Sequence, residues 1–165
     1  MRPDLRRILR HWTTTHWQVR RAFAHSVLLA IERAIKNAEA RHCGELRFVV
    51  EAALDGLPLL RGQSARERAI DVFSRLHVWD TERNCGVLIY LLLADRRMEI
   101  VADRGIHARV GSQGWDAIGQ RMQSAFAAGD FERGAIECID AVAQHLARHA
   151  PASRANELQD APTLL

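Results

Sequence analysis

Four carboxylates frame the apolar segments of this sequence: Glu45 heads one, Asp80 and Glu82 precede a second, and Asp103 ends a third. Oxygen donors of this kind are hard ligands that suit Ca2+ or Mg2+. Thr81 and Asn84 lie in the same stretch, and their oxygens could complete a cation or phosphate site. Both read first as turn formers, and from composition alone the acids read first as helix caps and solvated surface. No D-x-D-x-D-G loop is present, so a cation site has to be assembled from distant segments.

Other catalytic signatures are missing. The chain holds no HExxH, GxSxG, P-loop or GxGxxG. His145 and His149 stand four residues apart without a suitably placed carboxylate between them, and His42, His77 and His107 read first as surface or structural residues. Cys43, Cys85 and Cys138 are odd in number and widely spaced, which predicts reduced thiols in a cytoplasmic protein rather than a disulfide framework or zinc site.

The elements that must position these residues are written in the periodicity. The stretch "CGVLIYLLLADRRMEIVADRGI" carries Val87, Ile89 and Leu91 on one side and Leu88, Tyr90 and Leu92 on the other. A run apolar on both sides marks a central strand covered on both faces. Asp95, Arg96 and Arg97 turn the chain, so 86–103 is predicted to be a β-hairpin. Leu46, Phe48 and Val50 lie on one face and Glu45, Arg47, Val49 and Glu51 on the other of an earlier strand. Helical spacing predicts helices over 3–12, 26–41, 65–78, 114–127 and 131–149, the third of them opened by the Ser64–Glu67 capping box. Residues 55–63 read as loop, and a short extra strand fits near 106–110. The order describes an α/β chain: a three-layer α/β/α sandwich with a small mixed central sheet and helices on both faces.

At 165 residues and 48% apolar content, the chain has enough material for one ordinary domain. Its charge is uneven. Residues 1–25 hold six arginines against the single acid Asp4, while the remainder is mildly acidic. We read 1–25 as a basic, partly helical arm, 26–149 as the domain and 150–165 as a flexible tail. Leu5, Ile8, Leu9 and Trp12 with intervening arginines suit an anionic membrane surface, and the same pattern suits packing against the domain or a partner. No apolar run approaches the roughly 18–20 residues of a membrane-spanning helix. No apolar core follows the basic N-terminus as in a signal peptide, so the expected location is cytoplasmic, with contact at the inner membrane face.

Three ordered segments resemble the TPM domain family: "EARHCGELRFVVE", "WDTERNCGVLIYLLLADRRMEIVADRGI" and "FERGAIECIDAVAQHL". The matching positions are Glu39, Gly44, Glu45 and Leu46, then Thr81, Asn84, Gly86, Val87 and Leu88, then Asp95 and Arg96. Cys85 stands between Asn84 and Gly86 as an addition to the family pattern. The resemblance covers about residues 26–148 and implies an α/β/α sandwich. Some relatives bind calcium at acidic residues near the sheet edge, and a plant chloroplast relative is assigned acid phosphatase activity and a role in photosystem repair. Many bacterial members carry a signal peptide and a C-terminal membrane helix; this sequence shows neither and is similar to the short soluble subgroup. The resemblance implies an accessory domain holding Ca2+ or Mg2+ through Asp80, Glu82 and Asp103, with Glu45 and Asn84 as further ligands, and acting on an unknown protein or a membrane surface. A metal-assisted phosphatase using the same acids is the alternative. Nucleic-acid binding through the arm is the third reading, without a recognisable module to favour it.

Overall fold

In the computed structural model, these periodicities resolve into eight helices and four strands among the described residues, 4–151 and 162–164. In chain order they are α1 (Leu5–Thr13), α2 (His16–Ala22), α3 (His25–Glu39), β1 (Leu46–Glu51), α4 (Gly56–Leu60), α5 (Ala65–Arg75), β2 (Val87–Leu92), β3 (Arg97–Ala102), α6 (Arg104–Val110), α7 (Ser112–Ala127), α8 (Phe131–His149) and β4 (Thr163–Leu164).

The sheet runs in the order β3-β2-β1-β4. β2 lies parallel to β1 and antiparallel to β3, so the sheet is mixed, and β2 is buried along its whole length. Alternation divides the core in two. Leu46, Phe48, Val50, Val87, Ile89 and Leu91 face a layer built by α3, α7 and α8. Val49, Leu88, Tyr90, Leu92 and Val101 face the opposite layer, where α5 contributes Ala69, Val72 and Phe73. Helices thus cover both faces, as the doubly apolar β2 requires. Each large side chain withdrawn from water here contributes about 1.5–3 kcal/mol.

Segments 55–63 and 106–110 differ from the sequence expectation. The predicted loop 55–63 contains α4, which buries Leu59 beneath α5's layer. The extra strand near 106–110 is instead α6: Asp103 caps it, and Ile106 enters the α3–α7–α8 core. The N-terminal segment is two helices docked on the domain, with Ile8, Val19 and Phe23 buried in the two cores. Of the tail 150–165, residues 152–161 and 165 lie outside the described residues, whereas Thr163 and Leu164 pair in parallel with Val49 and Val50. No helix among the described residues is long and apolar enough to cross a membrane.

Candidate functional site

The register of the three neighbouring strands extends one residue past their ends. The Val87 amide donates to the Glu45 carbonyl at 2.8 Å, and the Asp103 amide donates to the Gly86 carbonyl at 2.8 Å. Continuing the Leu46–Val87 and Val87–Ala102 pairings by one step aligns Glu45, Gly86 and Asp103 in one row across β1, β2 and β3. Side chains alternate along strands, so this row lies on the face of Val49, Leu88, Tyr90 and Val101. Glu45 and Asp103 stand two strand spacings apart, roughly 9–10 Å between Cα atoms. Gly86 contributes no side chain between them, and a Cβ there would collide with the Val78 carbonyl.

Both carboxylates are withdrawn from water, at 3% exposure for Glu45 and 7% for Asp103. Asp103 earns its place partly as an N-cap: its Oδ1 accepts from the Arg104 amide at 2.6 Å. Its other oxygen, Oδ2, is buried without a hydrogen-bond partner. An orphaned carboxylate oxygen in the interior is costly unless something satisfies it.

Asn84 closes the corner. It sits in the left-handed region at φ 52°, a conformation that asparagine tolerates better than most residues. The turn is fixed by the Asn84 amide donating to the Thr81 carbonyl at 3.1 Å and the Cys85 amide donating to the Thr81 hydroxyl at 3.0 Å. Gly105 lets α6 press against this turn, because a Cβ at 105 would lie 2.6 Å from the Asn84 carbonyl oxygen. Thr81 and Asn84 therefore serve as turn formers beside the row of acids.

Beside this corner, Glu82, Asn84, Arg83, Arg109, Cys43 and Cys85 line an open groove of about 480 Å³. Arg83 donates to the Cys43 sulfur at 3.3 Å. Burial, with a smaller contribution from Cys43, pushes the Cys85 thiol above its ordinary value, and Cys138 lies sealed in the core, where burial raises its thiol further. Neither is prepared as a nucleophile.

Of the five residues proposed from sequence, the structure brings Glu45, Asn84 and Asp103 to one end of the sheet, and Glu82 to the adjoining groove. Asp80 is exposed and outside that groove. Among the described residues, no group of three or more His, Cys, Asp or Glu side chains is gathered as a metal cage. A cation here would draw its remaining ligands from amide, carbonyl or water oxygens.

Sequence reasoning missed two buried polar networks. At the hairpin turn, Asp95 receives Arg7 Nε at 3.0 Å, Arg7 Nη2 at 2.7 Å and Arg10 Nη2 at 3.3 Å. His11 Nδ1 accepts from the Leu54 amide at 2.8 Å, so the ring proton sits on Nε2 and is donated to Asp95 at 3.0 Å. Within the α5 layer, Glu51 accepts from Arg68 at 2.7 and 2.9 Å and from the Tyr90 hydroxyl at 2.5 Å. Burial first, then the Glu51 carboxylate, pushes the Tyr90 phenol far up. The local signals were an acid in a turn, an acid at the end of β1 and a tyrosine within the apolar β2.

With this geometry in hand, comparison with known proteins is informative. The TPM domain model matches residues 22–145. BA42, a protein of the psychrophilic bacterium Bizionia argentinensis solved by NMR, is similar at 29% identity with a TM-score of 0.74, over 84% of this chain and 92% of that one. The N-terminal domain of a P. gingivalis protein is similar in fold at 18% identity with a TM-score of 0.62, over 79% of this chain and 82% of that one. No curated protein matches.

Proposed function

Because this chain belongs to the TPM domain family, we propose that it is an accessory domain binding a divalent cation, Ca2+ before Mg2+, at Asp103 and Glu45 with Asn84 beside them. The observation that carries this reading is the buried Asp103 Oδ2 without a hydrogen-bond partner. A cation would neutralise that charge, and the Val78 carbonyl over Gly86 adds a further oxygen nearby. Ca2+ is favoured because it accepts irregular sets of carboxylate, carbonyl and water oxygens, whereas Mg2+ demands near-octahedral order. Glu82, on the rim of the groove, would contribute long-range charge; Asp80 has the weakest claim.

Calcium titration followed by amide NMR tests this. Shifts should cluster at Glu45, Asn84 to Gly86 and Asp103, and should vanish in Asp103→Asn. Absence of any shift at millimolar calcium, or an unchanged pattern in Asp103→Asn, would contradict it.

Phosphomonoester hydrolysis is the second reading. Arg83 and Arg109 line the groove beside Glu82 and Asn84, and guanidinium groups recognise phosphate oxygens well. A bound metal would supply Lewis-acid activation there. This reading is weaker because burial pushes the Cys85 thiol in the groove up, away from its nucleophilic form. Cation-dependent hydrolysis of an aryl phosphate that disappears in both Asp103→Asn and Arg109→Ala would support it; hydrolysis surviving in either variant would remove these residues from it.

A further inference from the structure

α1 turns Arg7 and His11 inward and leaves an apolar strip in water. Arg7 and His11 face the domain, locked on Asp95 and the Leu54 amide, and the His11 side chain is fully buried. Ile8 is the one apolar residue of α1 that is buried. Leu5, Leu9 and Trp12, spaced to share one side of the helix, are 75%, 62% and 73% exposed. Trp17, at the start of α2, is exposed as well, with the Arg21 guanidinium 5.6 Å above its ring. The inward contacts fix the roll of α1, so it cannot rotate to hide the strip without giving up the Asp95 network.

We propose that Leu5, Leu9 and Trp12, flanked by the exposed Arg6 and Arg10, form a docking surface for a lipid bilayer carrying anionic headgroups. Three observations select that occupant. The segment is strongly basic, with six arginines against one acid in residues 1–25, whereas the rest of the chain is mildly acidic. Leucine and tryptophan edged by arginine is the composition that lies in the headgroup boundary of anionic membranes. Next to the strip, Arg10, Arg21 and Arg96 line a groove of about 710 Å³ together with Trp17, a place for a headgroup phosphate among guanidinium groups. A second copy docking through the same patch would set like arginines against each other, which opposes self-association. The surface is built without Asp103 or Glu45, so it does not depend on the cation site.

Co-sedimentation with vesicles of phosphatidylcholine, with and without phosphatidylglycerol, tests this in EDTA. The full chain should bind only the anionic vesicles, with a blue shift of tryptophan emission and release by salt. Leu5→Ser/Leu9→Ser should weaken binding by at least about tenfold while the circular dichroism spectrum stays unchanged, because neither side chain packs on the domain. Asp103→Asn should bind vesicles as the unmodified chain does. No binding, equal binding to neutral vesicles, or full binding by Leu5→Ser/Leu9→Ser would overturn the proposal. So would a concentration-dependent dimer that the same double substitution dissolves, or arm-dependent binding to a DNA duplex in place of vesicles.

Discussion

Asp95 and Asp103 bracket the two ends of the β-hairpin's return strand, β3, and both are largely buried, yet their surroundings are opposite. Asp95 takes hydrogen bonds from Arg7, Arg10 and His11, so both of its carboxylate oxygens have donors. The Asp103 carboxylate has one bond, from the adjacent Arg104 amide, and an oxygen with none. Glu51 belongs with Asp95: Arg68 and Tyr90 saturate it. A saturated buried carboxylate ties elements together. An unsaturated one, at the same depth, leaves a polar oxygen uncompensated, and the proposed cation site rests on that difference.

The largest effect that sharpens this contrast is at Glu51. Arg68→Ala leaves that carboxylate buried without its cation and should cost about 3–5 kcal/mol in urea unfolding. Asp95→Asn comes next, at about 2–3 kcal/mol, because charge-assisted bonds to α1 are weakened together. Burial alone would raise the Asp95 pKa, but the hydrogen bonds from Arg7 and His11, together with the Arg7 charge, outweigh it and hold the carboxyl below its ordinary value. A group depressed in the folded state contributes stability at neutral pH that is lost as pH falls through its folded value. Stability should therefore decline below about pH 4, and a urea series against pH should show a shallower decline in Asp95→Asn. If Asp95→Asn costs nothing and leaves the acid limb intact, the saturated end of the hairpin is not the clamp described here.

Smaller still is Gly105→Ala. The new Cβ would press on the Asn84 carbonyl, costing about 1–3 kcal/mol by overpacking and moving Asn84 away from Asp103. Calcium affinity should fall with it, measured by titration calorimetry, whereas Asp95→Asn should leave calcium affinity unchanged.

How far the sequence foretold this depends on the range over which each feature is written. β2 was legible because six consecutive apolar residues mark two covered faces, and α5 because Ser64 and Glu67 announce its start. α6 was not: Ile106 to Val110 shows no clear helical stripe over so few residues, and the cap at Asp103 and the contact of Ile106 with the core decide it. Asp95 read as a turn residue because its partners lie 84 to 88 positions away. Tyr90 read as one more apolar residue, and only the fold brings its hydroxyl to Glu51. For the site, the alternation of Leu46, Phe48 and Val50 gave Glu45 its face, but the row of Glu45, Gly86 and Asp103 needs the register between three strands. Spacing along the chain gave Asp80 and Asp103 equal standing, and burial separates them.

The central claim is that the unsatisfied Asp103 oxygen is a cation ligand, and scanning calorimetry with and without calcium tests it most directly. Asparagine preserves the cap on α6 and removes the buried charge, so Asp103→Asn should unfold in EDTA within about 1 kcal/mol of the unmodified chain or be slightly more stable. Calcium at about a hundred times its dissociation constant should stabilise the unmodified chain by about 2.7 kcal/mol and leave Asp103→Asn unmoved. Equal stabilisation of both proteins, or of neither, would contradict the account.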